Sequence, residues 1–148
     1  MLTELAIAFL YGQVINIFET LVWVKGFWKL EDIDEMWGDE RRIPRDAYHA
    51  VLALAYIIPF LPLGIYRALL CGLVVSLVND LLWHFWSVKP RNWIKWLKKY
   101  FNPYDNETLL WYARFAVAVV KVTPSRMFKS VIVRVFIMGF LIFWGTLG

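Results

Sequence analysis

The sequence contains few charged residues, one cysteine and two histidines. Asp, Glu, Lys and Arg make up 19% of the 148 residues, whereas about 25% is usual in a soluble domain. The single cysteine, Cys71, excludes an internal disulfide and leaves the redox compartment undetermined. Because His49 and His84 are the only histidines, any chemistry that needs an imidazole must use one of these two positions.

Several motifs of known catalytic and ion-binding sites are also missing. The G-x-S-x-G pattern that presents a nucleophilic serine does not occur, which argues against catalysis by Ser76 or Ser87 with His84. The acidic cluster in residues 31–40 lacks the regular spacing and the glycine of an EF-hand loop, so we expect a solvated surface there. Neither a serine hydrolase nor an EF-hand calcium site is therefore expected.

Apolar residues dominate the composition instead. Hydrophobic residues make up 60% of the chain and aromatic residues 18%, and the mean hydropathy is +0.53. A soluble chain of this length could not bury so much apolar surface, so lipid must be the solvent of its long apolar runs. We therefore predict a single integral membrane domain over residues 1–148, located in the cell membrane.

The apolar runs predict an all-α fold, a polytopic membrane helical bundle of about five transmembrane helices plus an amphipathic interfacial helix. The predicted spans are residues 5–24, 46–60, 65–86, 109–120 and 127–147. The fourth span decides their number. Glu107, Arg114 and Lys121 lie seven apart and would form a narrow polar stripe on one helix. If that stripe faces inward the bundle has five spans, and if this helix lies on the surface it has four.

Two segments between the spans are strongly charged. We predict a charged cytoplasmic loop over residues 25–45, and an interfacial helix followed by a turn over residues 88–106. In the stretch RNWIKWLKKYF, Trp93, Trp96 and Tyr100 fall on one side and basic residues cover much of the rest. We expect the aromatic side chains to face acyl chains and the lysines to meet anionic headgroups. The expected partners are therefore membrane lipids rather than nucleic acid.

The distribution of basic residues predicts the orientation. The loops after the first and third spans carry most of the lysines and arginines. Because basic loops tend to stay in the cytoplasm, we predict that these main basic loops are cytoplasmic and that the N-terminus is outside. Five spans would then place the C-terminus inside, and four spans would place it outside.

Four ionisable residues are predicted to lie at one depth in the bundle. Glu19 comes near the end of the first span, His49 near the start of the second, and Asp80 and His84 near the end of the third. In antiparallel neighbours these positions lie roughly 5 to 10 Å below the same membrane surface. Asp80 and His84 are also one helical turn apart. Because a charge in hydrocarbon is costly, we expect the four side chains to face the bundle interior.

These four residues suggest a metal site. Two imidazoles and two carboxylates suit a zinc, iron or manganese ion, so Glu19, His49, Asp80 and His84 are predicted metal ligands. A hydrogen-bonded network without metal is the alternative. In that network Asp80 would orient His84, and Glu19 would pair with Arg114.

The functional hypothesis is a reaction at this polar layer. We expect metal-assisted hydrolysis or transfer on a lipid-phosphate or isoprenoid substrate, with Asp80 and Arg114 as catalytic residues and Arg134 as a further phosphate contact. Two alternatives stay open. One is a non-catalytic subunit of a larger membrane complex or a homo-oligomer, and the other is a proton or ion pathway through Glu19, Asp80 and His84. The sequence does not decide whether the protein is an enzyme.

Overall fold

The computed structural model describes residues 1–35, 48–115 and 118–147, without the side chains of residues 114, 115, 146 and 147. Within these ranges the chain is mostly helical. The elements are α1 (Leu2–Glu19), α2 (Tyr48–Ile57), α3 (Ile65–Leu82), α4 (His84–Ser87), α5 (Trp93–Tyr100), β1 (Trp111–Phe115), β2 (Ala118–Val122) and α6 (Pro124–Leu147). A π-helical turn, Thr20–Val24, extends α1, and short 3-10 turns, Ile58–Leu63, extend α2.

Three of the described helices are long and apolar enough to cross a membrane. They cover Leu2–Val24, Ile65–Ser87 and Pro124–Gly145. A fourth apolar segment, Tyr48–Leu63, is shorter. Proline lacks a backbone N–H, and Pro59 and Pro62 lie where the regular α-helix gives way to 3-10 turns. The prediction of a mostly helical chain with helices of membrane-spanning length is thus confirmed.

The segment predicted as the fourth span is a β-hairpin. β1 and β2 pair in antiparallel fashion, with Trp111 opposite Val122 and Phe115 opposite Ala118. Both strands are rich in aromatic and β-branched residues, which favour an extended backbone. The helix predicted over residues 109–120 is therefore wrong, and the polar stripe expected along it does not form.

The apolar helices alternate in direction around α3. Arg67 bonds Glu4 near the start of both α3 and α1, so these two helices run parallel. Arg134 in the first half of α6 bonds Asp80 near the end of α3, so α6 runs antiparallel to α3. The tight turn at Gly64, whose φ is +90°, reverses the chain between α2 and α3. The ends of α1 and α3 and the starts of α2 and α6 therefore lie together, at what we call the hairpin end.

A hydrophobic cluster that contains three aromatic side chains covers the hairpin end of the bundle. It consists of Ile33, Trp83, Val88, Trp96, Tyr100, Leu110 and Met127. The predicted helix of α5 is confirmed, but Trp96 is only 1% exposed and Tyr100 only 5%. The expectation that these two side chains face acyl chains is therefore wrong, because they pack inside this cluster instead.

Ion pairs tie the loop after α1 to α5 and to the turn before it. They join Glu31 to Lys89 and Arg91, and Asp32 to Lys95 and Lys99. Hydrogen bonds from its two basic partners lower the pKa of Glu31 to about 2. Burial favours the neutral form of Asp32, but hydrogen bonds from its lysines outweigh burial and lower its pKa to about 2. Much of the positive charge of α5 is thus matched within the protein.

Candidate functional site

A cavity of about 850 Å³ lies between α2, α3 and α6. Both α2 and α6 pack against α3 but make little contact with each other in the described part of the chain. The two helices are therefore the walls of the cavity, and α3 is its floor. Tyr100 and Trp111 line it at the hairpin end. A cavity of this volume is in the range of small-molecule binding sites.

The charged side chains of the cavity lie near the hairpin end, among apolar ones such as Val122 and Met127, and only apolar and uncharged residues follow farther along the helices. The polar residues near the hairpin end include Glu19, His49, Asp80, Arg126, Ser130 and Arg134. The aliphatic residues farther along the helices include Leu52, Ile57, Leu69, Leu73, Ile137 and Leu141. The cavity thus has a polar end that could contact a head group and an apolar part that could contact a tail.

An ion pair crosses the cavity floor between α3 and α6. Nη2 of Arg134 donates a hydrogen bond to Oδ2 of Asp80 at 2.5 Å, and Nε donates to the carbonyl oxygen of Ser130 at 3.2 Å. Both charged side chains are only partly exposed. Removing either partner would leave a poorly solvated charge, which is strongly unfavourable. Asp80 therefore fixes the position of Arg134 on the cavity wall.

Glu19 belongs to a hydrogen-bond network that joins α1, α2 and α3. Nδ2 of Asn79 donates to Oε2 of Glu19 at 2.5 Å and to Oδ1 of Asn16 at 2.8 Å. The hydroxyl of Tyr56 donates to Oδ1 of Asn79 at 2.7 Å. Glu19 and Asn79 are both buried. The network meets the hydrogen-bonding needs of several polar groups that would be costly to leave unsatisfied in an apolar bundle.

His49 lies at the polar end of the cavity, in the first turn of α2 and against the hairpin. Its ring stacks against Trp111 with the centroids 6.1 Å apart, and it packs edge-on against Tyr48 at 5.2 Å. Nε1 of Trp23 donates to the hydroxyl of Tyr48 at 3.2 Å. Aromatic contacts therefore hold this imidazole at the polar end of the cavity.

His84, in contrast, lies outside the cavity. Its ring is 1% exposed and stacks on Trp96 with the centroids 5.4 Å apart. Neither ring nitrogen makes a hydrogen bond of good geometry within the described residues. The helix Ile65–Ser87 keeps helical dihedral angles at Trp83, but its regular hydrogen bonding breaks there, between α3 and α4. The expected Asp80–His84 contact is replaced by an Asp80–Arg134 pair and a His84–Trp96 stack.

Three of the four predicted metal ligands, Glu19, His49 and Asp80, line one cavity. In residues 1–35, 48–115 and 118–147, no group of three or more His, Cys, Asp or Glu side chains could hold a metal ion. A bound zinc, iron or manganese ion therefore stays a prediction from the sequence. Arg114 lies in β1 opposite Val119, and its side chain lies outside the described residues.

Sequence reasoning missed two polar residues of the cavity, Arg126 and Ser130. Together with Arg134 they follow one another at intervals of four along α6, which places them on one helix face. That spacing was visible in the sequence. Its relation to Asp80 was not, because the favoured fourth span at residues 109–120 would have reversed the direction of α6.

Comparisons with known proteins give no match to this chain. No family model matches it, and neither does any curated protein or solved structure. The function is therefore argued from the residues of the cavity and their arrangement.

Proposed function

We propose that this protein is a membrane protein that binds a membrane amphiphile between α2, α3 and α6. The polar head lies at the hairpin end and the apolar tail lies deeper in the bundle. The observation that carries this proposal is the order of side chains along the cavity, with ionic and hydroxyl groups first and aliphatic groups after them. A tail that contacts the aliphatic part gains from burial of apolar surface, whereas a fully polar ligand does not.

The length of the apolar part supports a ligand from one leaflet. From Asp80 to Leu69, the helix α3 rises about 16 Å at 1.5 Å per residue. Half of the hydrocarbon core of a bilayer is about 15 Å thick. The apolar part of the cavity is therefore about as long as the acyl region of one leaflet.

The gap between α2 and α6 supports lateral entry from the bilayer. These two helices pack against α3 rather than against each other. Leu69 and Ile137 line the cavity, and each is 44% exposed. A lipid could therefore slide between the two helices without first passing through water.

The helix directions support four membrane crossings, formed by α1, α2 with its 3-10 turns, α3 and α6. The hairpin and α5 then lie on one side. The described basic residues at this end include Lys25, Lys29, Lys89, Arg91, Lys95, Lys98, Lys99, Lys121 and Arg126. Arg67 lies near the start of α3, at the opposite end. By the positive-inside rule the hairpin end is cytoplasmic, and both chain ends are outside.

A reaction on the bound amphiphile is the second candidate function. Glu19, His49 and Asp80 bring two carboxylates and an imidazole to the polar end of one cavity. In the metal-assisted version these three residues would draw together around a zinc, iron or manganese ion that activates water for hydrolysis or transfer. Stoichiometric metal that is lost in Asp80→Asn would support this version. Purified wild-type protein without these metals in elemental analysis would contradict it.

The binding proposal can be tested by filling the cavity. Ala53 is exposed on α2 and lines the apolar part, so Ala53→Trp should block the tail without disturbing the packed core. Leu54 is the matched control, because it is also exposed on α2 but lies outside the cavity lining. We expect native mass spectrometry to detect co-purified lipid on the wild type and on Leu54→Trp, with most of it lost from Ala53→Trp. Equal lipid on both variants would contradict the proposal.

The four-crossing topology has its own test. In a Cys71→Ala background, single cysteines placed before Met1 and after Gly148 can be labelled in intact cells with an impermeant maleimide. We expect both to react from outside. Reaction of only one of the two would overturn the four-crossing arrangement while leaving the cavity experiment unaffected.

A further inference from the structure

One face of α6 carries a ladder of cationic and hydroxyl groups that continues into an aliphatic stripe. Arg126, Ser130 and Arg134 line the polar end of the cavity, and Ile137 and Leu141 line its apolar part. Arg126 and Arg134 are eight residues apart, which is about 12 Å along the helix axis. Two long side chains on one face can therefore converge on a group that lies near Ser130.

The two arginines of this ladder differ in the hydrogen bonds that they already make within the protein. Arg134 uses Nη2 for Asp80 and Nε for the carbonyl of Ser130. Arg126 uses Nη1 for the carbonyl of Lys121, and it forms no ion pair among the described residues. A guanidinium has five N–H donors, so both side chains keep donors for a ligand.

We propose that the head of the bound amphiphile carries a phosphate, held between Arg126 and Arg134 with the hydroxyl of Ser130 as a further donor. This inference rests on the proposed amphiphile binding and names the class of ligand. Arginine matches phosphate well because its fork of donors can bind two oxygens of one phosphate. Asp80 acts as a positioning residue that holds Arg134 against the cavity wall.

The position of the ladder also favours an anionic head. Arg126 lies in the first turn of α6, where the aligned peptide dipoles leave the helix N-terminus partly positive. Glu19, the other acid of the cavity, is buried and accepts a hydrogen bond from Asn79. Of the charged side chains described here, Arg126 is thus the one best placed to attract a ligand anion.

The test compares ligands that share a tail and differ in the head. Native mass spectrometry of the protein in a neutral detergent would measure the binding of dodecyl phosphate and of dodecanol. We expect dodecyl phosphate to bind at least about tenfold more tightly, on the scale of one or more charge-assisted hydrogen bonds. Equal affinity for both would overturn the phosphate assignment and leave the amphiphile proposal standing. Failure of both to bind would contradict the amphiphile proposal itself.

Variants of α6 test the residues of the ladder. Arg126→Gln should weaken dodecyl phosphate about tenfold and leave dodecanol unchanged. Lys129→Gln is the matched control, because Lys129 is exposed on the same helix outside the cavity lining. Asp80→Asn with Arg134→Gln removes the ion pair without leaving a lone charge, and it should also abolish the preference for phosphate. If Arg126→Gln and the double variant both keep the wild-type preference for dodecyl phosphate over dodecanol, the proposal is overturned.

Competition with inorganic phosphate distinguishes a lipid head from a free anion. The tail supplies much of the binding free energy, so inorganic phosphate at the same concentration should leave dodecyl phosphate bound. Efficient displacement by inorganic phosphate would show that the site takes a free anion, and it would overturn the assignment to a phosphorylated amphiphile.

Discussion

The two sides of α3 are built in opposite ways. Toward α1, the helices are so close that a Cβ atom on Gly12 would lie 2.6 Å from Cγ1 of Val78, and Asn16 and Asn79 are bonded across the contact. Toward α2 and α6, the same helix also makes close contacts, since a Cβ atom on Gly72 would lie 2.8 Å from Cγ1 of Ile57, but between these contacts it borders a cavity of about 850 Å³. The α1 side contacts α3 near both of its ends, whereas the α2 and α6 side encloses open space between its contacts. The α1–α3 contact therefore stabilises the bundle without filling the space between α2 and α6, which is available to a ligand.

The packed side should be the most sensitive to added volume. Gly12→Leu must push α1 away from α3, and we expect it to lower the free energy of unfolding by about 3 kcal/mol. Gly139→Leu is the control, because a Cβ atom there meets nothing within 4 Å. Thermal unfolding in detergent measures both. Similar losses for the two variants would show that α1–α3 packing is not specially tight.

The buried network between α1, α2 and α3 should come next. Asn79→Leu removes the donor to Glu19 and the acceptor of Tyr56, so we expect a loss of about 2 kcal/mol. Ser76→Ala is the control on the same helix. Its hydroxyl donates only to the carbonyl of Leu73 one turn away, and its removal should cost much less. Equal melting temperatures for Asn79→Leu and the wild type would show that the network does not stabilise the fold.

Acid should lower the stability of the protein through the loop after α1, by a smaller amount than Asn79→Leu does. The pKa of Glu31 falls from 4.5 to about 2 in the folded protein, and that of Asp32 from 3.8 to about 2. Groups with a lowered folded pKa stabilise the protein fully above their unfolded pKa and lose that effect as the pH falls through the folded value. We therefore expect melting temperature to drop between about pH 4.5 and pH 2.

A double variant isolates that pH effect. Glu31→Gln with Asp32→Asn should flatten the decline in this pH range, because neither side chain can then titrate. Asp34→Asn removes an exposed carboxylate from the same loop and should leave the decline as it is in the wild type. An unchanged decline in the double variant would assign the acid sensitivity to other groups.

The open side should tolerate added volume with the smallest effect on stability. Ala53→Trp projects into the cavity, so we expect its melting temperature to correspond to a change within about 0.5 kcal/mol of the wild type. A loss as large as that of Gly12→Leu would mean that the space beside Ala53 is needed for folding, and the contrast between the two sides of α3 would fail.

The sequence predicted the depth of the polar residues better than their partners. Glu19, His49 and Asp80 line one cavity, as the ends of three neighbouring helices implied. The contact of His84 could not be predicted, because it depends on the break after Leu82 and on Trp96, which is close in space through the path of α5. Depth follows from chain order, whereas a partner on another helix depends on the tertiary fold.

The β-hairpin was not predicted from the sequence, and this had the largest effect on the predicted topology. Residues 109–120 have the apolar character of a short helix, but their aromatic and β-branched side chains favour strands. Reading them as a span reversed the direction of α6 and placed Arg126 on the other side of the membrane. The wrong prediction for this one segment therefore concealed that Arg126, Ser130 and Arg134 lie on the same side of the membrane as Asp80.

Photolabelling tests the central claim, that an amphiphile binds between α2, α3 and α6, most directly. Dodecyl phosphate with a diazirine at the tail end would be bound to the protein in detergent, irradiated and mapped by peptide mass spectrometry. We predict saturable labelling of Ile57, Ile137 and Leu141 in the apolar part of the cavity, which unlabelled dodecyl phosphate suppresses. Labelling that does not saturate and falls equally on Leu10 and Val14, which are exposed on α1, would contradict the account.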